Sequence, residues 1–112
     1  MECWQESRAL NRTIYDYTKR SAFSKDFRLS GQITGASISI MNNISEGFDS
    51  RSNNEFMRFL TYSRRSCSEV QNCLYVALDQ EYILKEEFQN IYKHCEKVRR
   101  IIDGLIRYLK DH

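Results

Sequence analysis

The sequence predicts an all-α fold, an antiparallel up-down-up-down four-helix bundle in one domain over residues 1–112. Proline is absent, and there are only four glycines among the 112 residues. Apolar residues recur every three or four positions, without the sustained alternation that indicates strands. Four such patterns joined by short links are typical of a helix bundle. The predicted helices cover, approximately, residues 2–22, 31–46, 53–80 and 85–110.

The first predicted helix carries an apolar stripe that includes Leu10, Ile14 and Tyr17. Polar residues interrupt the pattern over residues 24–29, which are therefore predicted to form a connection. Ser30 follows this connection, and its hydroxyl is suited to accept a hydrogen bond from the first free amides of a helix. The sequence therefore predicts that Ser30 is the N-cap of the second helix.

Polar residues gather where the second and third predicted helices meet. Gly47 is predicted to end the second helix with a positive φ angle, which glycine adopts easily. Ser52 and Glu55 have the spacing of a capping box, in which each side chain bonds the other residue's amide. Glu46 is predicted to accept hydrogen bonds from Arg58 or from backbone amides, in a structural role rather than in acid–base catalysis. The whole predicted junction comprises Asn43, Glu46, Gly47, Ser52, Glu55 and Arg58.

The third predicted helix is the longest, and it has two apolar stripes. Together they span more than the ~100° arc that one core usually buries. The second stripe therefore predicts an interface with another copy of the chain; alternatively, its aromatic residues only wrap the edge of the bundle. The residues of this predicted interface are Phe59, Tyr62, Ser66, Cys73 and Val76. Beyond the helix, Tyr82 and Ile83 are predicted to fill the end of the core.

The fourth predicted helix has the most regular heptads, and these indicate its core-facing side. The heptad positions are Phe88, Ile91, Cys95, Val98, Ile102, Leu105 and Leu109. Basic residues recur on the opposite side, where they predict either a solvated surface or a nucleic-acid contact. Together with three arginines near the third helix, the candidate phosphate-binding residues are Arg51, Arg64, Arg65, Lys93, Lys97, Arg100 and Arg107.

The sequence predicts no catalytic residue, no metal ligand and no cofactor, so the protein is not expected to be an enzyme. The four cysteines lack zinc-ligand spacing and are interpreted as small hydrophobic residues. His94 has no acidic partner at motif spacing, and the histidine motif of di-iron bundles is absent. No glycine-rich phosphate loop occurs.

The expected location is the cytoplasm, and no contact with a membrane is expected. No apolar run approaches the ~20 residues that a membrane span needs, and the N-terminus does not resemble a secretory signal. The net charge is only +2. Such a weak balance does not form the basic block that dominates phosphate binding.

The run from Ser37 to Ile83 resembles a four-helix-bundle family. That family is named for reading frames in 23S rRNA intervening sequences and is also called the S23 ribosomal protein family. Phe23, Leu29, Gln32 and Ile33 fit the segment that precedes the run. The matching residues within the run are Ser39, Ile40, Asn43, Ile44, Glu46, Gly47, Arg51, Ser52, Glu55, Phe56, Arg58, Phe59, Leu60, Ser66, Glu69, Leu74, Ala77, Tyr82 and Ile83.

The sequence also departs from the family pattern at several positions. Ser24 and Met41 replace prolines, Ser45 replaces an alanine, and Arg65 replaces a glycine. None of these changes conflicts with the predicted fold, but Arg65 bears on packing or on the subunit interface of the third helix.

The resemblance implies an antiparallel bundle, a homopentameric ring and a biochemical role that is not established. A related branch comprises the accessory variability determinants of diversity-generating retroelements, which are strongly basic pentamers that bind a reverse transcriptase and nucleic acid. The near-balanced charge of this chain departs from that branch. Two hypotheses follow: a non-enzymatic oligomeric scaffold or partner-binding module, or an RNA- or DNA-binding accessory pentamer. The expected partners are other copies of the chain and either RNA or another protein.

Overall fold

The computed structural model describes residues 1–112 and contains five α-helices and no strand. The prediction of an all-α fold is therefore confirmed. The molecule measures 46 × 23 × 18 Å along its principal axes. None of its helices has the length and apolar character needed to cross a membrane. The helices are α1 (Glu2–Thr18), α2 (Ser21–Lys25), α3 (Phe27–Phe48), α4 (Asn53–Asp79) and α5 (Lys85–Asp111).

The first predicted helix was too long, because the chain leaves the helical conformation after Thr18. Arg20 has extended backbone angles (φ −63°, ψ 144°) and starts the separate short helix α2. This bend lets Phe23 enter the core, where it is only 1% exposed. The Arg20 guanidinium lies 4.1 Å from the centre of the Tyr17 ring and also binds Glu87 on α5. The aromatic and ionic contacts of Arg20 thus stabilise a break that helical periodicity does not reveal.

The second predicted helix begins earlier than residue 31, and Ser30 is not its N-cap. Asp26 takes that position, since its Oδ1 atom accepts a hydrogen bond from the Leu29 amide at 3.0 Å. The Ser30 hydroxyl instead donates to the Asp26 carbonyl oxygen at 2.8 Å. A carboxylate is a strong acceptor for helix N-terminal amides. The predicted connection over residues 24–29 is consequently almost entirely helical.

The core lies between four long helices, each of which contacts two others. Helix α1 packs against α3 and α5, and α4 also packs against α3 and α5. Twenty-one buried apolar residues form one cluster, which includes all four cysteines as free thiols. The cysteines therefore occupy the core positions expected of small hydrophobic residues.

Helix α5 follows its predicted heptads closely, with two exceptions. Five of the seven positions are buried, whereas Phe88 and Leu105 are only partly covered. The turn before α5 also agrees with the prediction: Ile83 is buried, and the Tyr82 ring stacks on Phe23 with ring centres 5.1 Å apart. The Tyr82 hydroxyl donates to Asp26 Oδ2 at 3.0 Å, so this turn is tied to the N-terminus of α3.

Candidate functional site

The junction between α3 and α4 is held by backbone capping. The Ser52 hydroxyl accepts a hydrogen bond from the Glu55 amide at 3.1 Å, as predicted. The reciprocal hydrogen bond, in which the Ser52 amide would donate to the Glu55 carboxylate, is not made. The Ser50 hydroxyl donates to the Gly47 carbonyl oxygen at 2.5 Å, and Asn43 Nδ2 donates to the Ser39 carbonyl oxygen at 2.9 Å. The bonds of Ser52 and Ser50 satisfy helix-end groups, whereas that of Asn43 lies within α3; all three give the junction a structural role.

Gly47 does not end α3 with a positive φ angle, so that prediction was wrong. It lies inside the helix, and no glycine of the chain has a positive φ. Close packing is the reason for glycine here. A Cβ atom at residue 47 would lie 2.8 Å from Phe56 Cδ1 and 3.0 Å from Phe59 Cβ. Gly47 thus lets α4 approach the backbone of α3.

The predicted ion pair between Glu46 and Arg58 is also absent. Both side chains are exposed, and neither lies within 4.0 Å of an opposite charge. Arg58 lies instead over its helical neighbour Phe59, 5.4 Å from the ring centre. The close approach of the two helices at Gly47 is made by apolar groups, and the polar side chains point away to solvent.

The predicted interface stripe on α4 divides into covered and exposed residues. Ser66 and Cys73 are buried by the protomer itself, and the Ser66 hydroxyl donates to Ser39 Oγ at 2.9 Å. Tyr62 and Val76 remain 39% and 45% exposed. Phe59 is half-buried, and its ring contacts Tyr62 edge-on, with ring centres 6.0 Å apart. The free part of the stripe is therefore Phe59, Tyr62 and Val76.

A second aromatic surface was missed by the sequence reasoning. Tyr75 of α4 packs against Phe88 and Tyr92 of α5, with ring centres 4.9 and 5.7 Å away. Phe88 and Tyr92 also contact each other at 5.4 Å, and Tyr75 is 50% exposed. A hydrogen bond with Tyr75 raises the pKa of Tyr92. The spacing of Phe88 and Tyr92 by four residues was the available signal, but the heptad pattern assigned Phe88 to the core.

The candidate phosphate-binding residues are dispersed, and two of them are neutralised within the protomer. Arg64 Nε lies 2.8 Å from Asp103, and Lys97 Nζ lies 3.5 Å from Glu6. Arg65 lies over the Tyr62 ring at 5.7 Å. Four of the seven are on α5, two are on α4, and one precedes α4. Those without an ion pair are Arg51, Arg65, Lys93, Arg100 and Arg107.

Charged side chains join α5 to α1 and to the bend that follows α1. Arg20 makes two hydrogen bonds to the Glu87 carboxylate, at 2.8 and 2.6 Å. Together with the Leu84 amide, the guanidinium lowers the pKa of Glu87 to about 2. His94 Nε2 lies 2.9 Å from Glu6 Oε1, and this hydrogen bond lowers the pKa of Glu6. His94 is therefore engaged in an interhelical contact, although its partner is distant in sequence.

The surface hollows are shallow, and the largest of them is mostly apolar. The largest has a volume of about 530 Å³ and lies between the N-terminus of α1 and the C-terminus of α3. Trp4, Ile44 and Phe48 supply most of its apolar lining. No three histidine, cysteine or acidic side chains are close enough together to hold a metal ion.

The fold and these surfaces define an all-α protein that exposes both apolar side chains and basic residues on its helices. The chain belongs to the family of 23S rRNA-intervening sequence proteins, whose sequence model matches residues 1–104. The family predicted from residues 23–83 is therefore confirmed, and the match extends through α1 and most of α5.

A solved structure has the same fold. It is a protein of unknown function from the S23 ribosomal protein family of Bacteroides thetaiotaomicron VPI-5482. The TM-score is 0.84 at 23% sequence identity, and the alignment covers 93% of this chain and 97% of that chain. At this identity the likeness shows the fold alone. A search of curated proteins found none that matches this chain.

Proposed function

We propose that this protein is a non-enzymatic, homopentameric scaffold or partner-binding module built from an antiparallel up-down-up-down four-helix bundle. The observation that carries the proposal is the exposure of large apolar side chains on α4, a helix whose core side is already covered by α3 and α5. Tyr62, Tyr75 and Val76 are each 39–50% exposed on this one helix. Tyr75 and Val76 are adjacent, and Tyr62 lies about 20 Å from them along the helix. Large apolar side chains exposed on one helix support an interaction surface.

The contacts between neighbouring helices support the antiparallel arrangement. Across each seam, residue numbers rise along one helix as they fall along the other. The contacts between α3 and α4 join Ser39 to Ser66, Ile40 to Ser63 and Gly47 to Phe56. Those between α4 and α5 join Arg64 to Asp103, Gln71 to Arg99 and Tyr75 to Tyr92.

A closed ring needs two different surfaces on each subunit, because its contacts join one surface to another. The first proposed surface is the free stripe of Phe59, Tyr62 and Val76. The second is the aromatic surface of Tyr75, Phe88 and Tyr92, on the side of α4 that faces α5. Aromatic residues of this kind are enriched at protein interfaces. Ser66 and Cys73 contribute by packing beneath the first surface.

The chemistry of the cysteines supports a non-enzymatic role and a cytoplasmic location. A cysteine nucleophile must be a thiolate that substrate can reach. Burial raises the pKa of Cys3 and of Cys73, and both side chains are less than 9% exposed. All four thiols are free, which suits a reducing compartment.

Light scattering coupled to size-exclusion chromatography tests the proposed ring. The wild-type protein should have a particle mass that is a multiple of five 13.4 kDa chains. Tyr62→Asp combined with Val76→Asp should abolish the ring and leave the helical circular dichroism unchanged, because both side chains are exposed. Tyr108→Asp is the matched control, since Tyr108 is 56% exposed at the far end of α5. A wild-type particle that is not a multiple of five would refute the pentamer.

A second candidate function is nucleic-acid binding, and the cations of α5 favour it. Lys93, Arg100 and Arg107 make no ion pair and recur every seven residues, about 10.5 Å apart along the helix. A ring would repeat this row five times. Fluorescence anisotropy with a structured RNA should show binding that weakens steeply with salt and is lost in the Lys93→Ala, Arg100→Ala, Arg107→Ala triple variant. Equal binding by the triple variant would eliminate this function for α5.

A further inference from the structure

The outward surface of α3 is uncharged over most of its length. Between Arg28 and Glu46 the helix has no charged residue. Two of its large apolar side chains project into solvent on this side, since Phe27 is 82% exposed and Ile38 is 40% exposed. The other exposed residues between the two charges are small or neutral polar residues, Gly31, Gln32, Gly35, Asn42 and Ser45. No other element of the protomer covers this surface, which we call the α3 surface.

Two glycines flatten the middle of the α3 surface. A Cβ atom at Gly31 or at Gly35 would meet nothing within 4 Å. Packing inside the protomer therefore does not require glycine at either position, although each glycine costs a helix about 1 kcal/mol relative to alanine. The open strip beside Ile38 leaves room for the backbone of another helix.

The charges that bound the α3 surface are complementary under a two-fold rotation. Arg28 and Glu46 are separated by 18 residues, which is about five helical turns, so they lie on the same side of the helix. Neither makes an ion pair within the protomer. If a second α3 lies antiparallel with its midpoint at the same level, Arg28 of each copy meets Glu46 of the other.

We infer that the α3 surface binds the α3 surface of a second copy of this chain, antiparallel and about a two-fold axis near residue 37. A two-fold contact joins a surface to itself, and the charges at the two ends of this surface are complementary under that rotation. The Ile38 side chain of each copy lies beside Gly35 of the other, where there is no side chain to obstruct it. The surface is about 27 Å long between Arg28 and Glu46, and a single helix face of that length is expected to bury no more than the lower limit for a specific interface, roughly 600 Å² per copy. The contact is therefore expected to depend on concentration.

This pairing differs from the proposed ring in its helix and in its symmetry, although the two surfaces adjoin where Arg28 and Val76 line one hollow. Particle mass distinguishes the four combinations at the concentration where the mass reaches its plateau. Ten copies indicate both contacts, five the ring alone, two the pairing alone and one neither. A plateau of five copies or one copy would overturn the pairing.

Charge reversal tests the proposed register. Arg28→Glu and Glu46→Arg should each halve the particle mass measured by sedimentation velocity, because like charges then meet at both ends of the contact. The double variant with both reversals should restore the wild-type mass, since opposite charges meet again. Both side chains are exposed and unpaired, so the fold should not change. Single reversals without effect, or a folded double variant that stays at half mass, would overturn the register.

Cysteine cross-linking provides an independent test. Ile38 lies next to the proposed axis, so Ile38→Cys should form a disulfide with its own counterpart after mild oxidation and give a covalent dimer without larger products. The wild-type chain is the control, because its four thiols are buried. The same dimer should form when Tyr62→Asp and Val76→Asp remove the ring. An Ile38→Cys variant that stays monomeric, or that gives a ladder of larger species, contradicts the two-fold contact.

Discussion

Helices α3 and α5 both pack against α1 and α4, but they do so with opposite chemistry. Helix α3 has two charged residues among 22, whereas α5 has 12 among 27. The seams of α3 contain hydrogen bonds between uncharged groups, Asn11 to Ser37, Ser63 to Ile40 and Ser66 to Ser39. The seams of α5 contain ionised groups, Arg20 with Glu87, Glu6 with Lys97, and Arg64 with Asp103.

This difference predicts different responses to the solvent. Exposed ion pairs contribute about 0–1 kcal/mol and are screened by salt. Hydrogen bonds between neutral groups contribute about 1 kcal/mol each and do not depend on ionic strength. The contacts of α5 should therefore weaken as salt is added, whereas the contacts of α3 should not.

The largest expected effect concerns the close contact of α3 with α4. Gly47→Ala should lower the free energy of unfolding by about 1–2 kcal/mol, because overpacking against Phe56 and Phe59 exceeds the gain in helix propensity. Gly35→Ala should raise it by up to about 1 kcal/mol, since its Cβ meets nothing. Gly104→Ala on α5 is the matched control, with only Arg107 Nη2 at 3.8 Å. Urea denaturation followed by circular dichroism measures all three.

The Gly35 and Gly104 variants also separate folding from assembly. Both should stabilise the protomer, but only Gly35→Ala should weaken pairing through the α3 surface. If Gly47→Ala proves as stable as the wild type, α4 has room to retreat and the contact at Gly47 does not limit the approach of the two helices.

The sequence predicted the core more accurately than the surfaces, for physical reasons. Ile33, Ile40 and Ile44 repeat at helical spacing, so burial of one side of α3 can be inferred without coordinates. Gly47 shows the limit of this reasoning. Glycine is required at this position because Phe56 and Phe59 of another helix lie against it. Capping rules consider only the local sequence, and they suggested a helix end.

Charged side chains were predicted poorly because their partners are distant along the chain. The local pairing of Glu46 with Arg58 was wrong, whereas Glu6 and His94 meet across 88 residues. Arg20 and Glu87 are separated by 67 residues, and their contact depends on the bend between α1 and α2. Sequence spacing indicates neither contact. The aromatic surface of Tyr75, Phe88 and Tyr92 was missed for the same reason, since it joins two helices.

The second prediction concerns acid and the ionic seam of α5. Arg20 and the Leu84 amide lower the pKa of Glu87 to about 2 from an ordinary value of 4.5. A lowered carboxyl pKa contributes stability that is fully present above pH 4.5 and is lost as the pH falls toward 2. Glu87→Gln should therefore cost about 1 kcal/mol at pH 7, a value reduced by the exposure of Arg20.

The cost of Glu87→Gln should diminish below pH 4.5 and disappear near pH 2, as measured by urea denaturation across this range. Glu86→Gln is the matched control, because Glu86 is exposed on the same turn and makes no ion pair. It should change the free energy of unfolding by less than about 0.5 kcal/mol. A pH-independent cost for Glu87→Gln would mean that the side chain acts through packing rather than charge.

The smallest expected effect separates the two seams of α4 by their salt dependence. Arg64 and Asp103 join α4 to α5 at 2.8 Å, with side chains 46% and 33% exposed. Asp103→Asn retains the shape and an acceptor but removes the charge, so it should cost about 0.5 kcal/mol at low salt. In about 1 M sodium chloride the Debye length falls to about 3 Å, and this cost should vanish.

Ser63→Ala tests the opposite seam, where the buried Ser63 hydroxyl donates to the Ile40 carbonyl oxygen at 2.8 Å. Its cost should be about 1 kcal/mol and should not change with salt, because both groups are neutral and excluded from water. Urea denaturation of both variants at low and high salt makes the comparison. Equal salt dependence of the two costs would show that α3 and α5 are held in the same way. The low number of charged residues on α3 would then not affect how its contacts with neighbouring helices respond to salt.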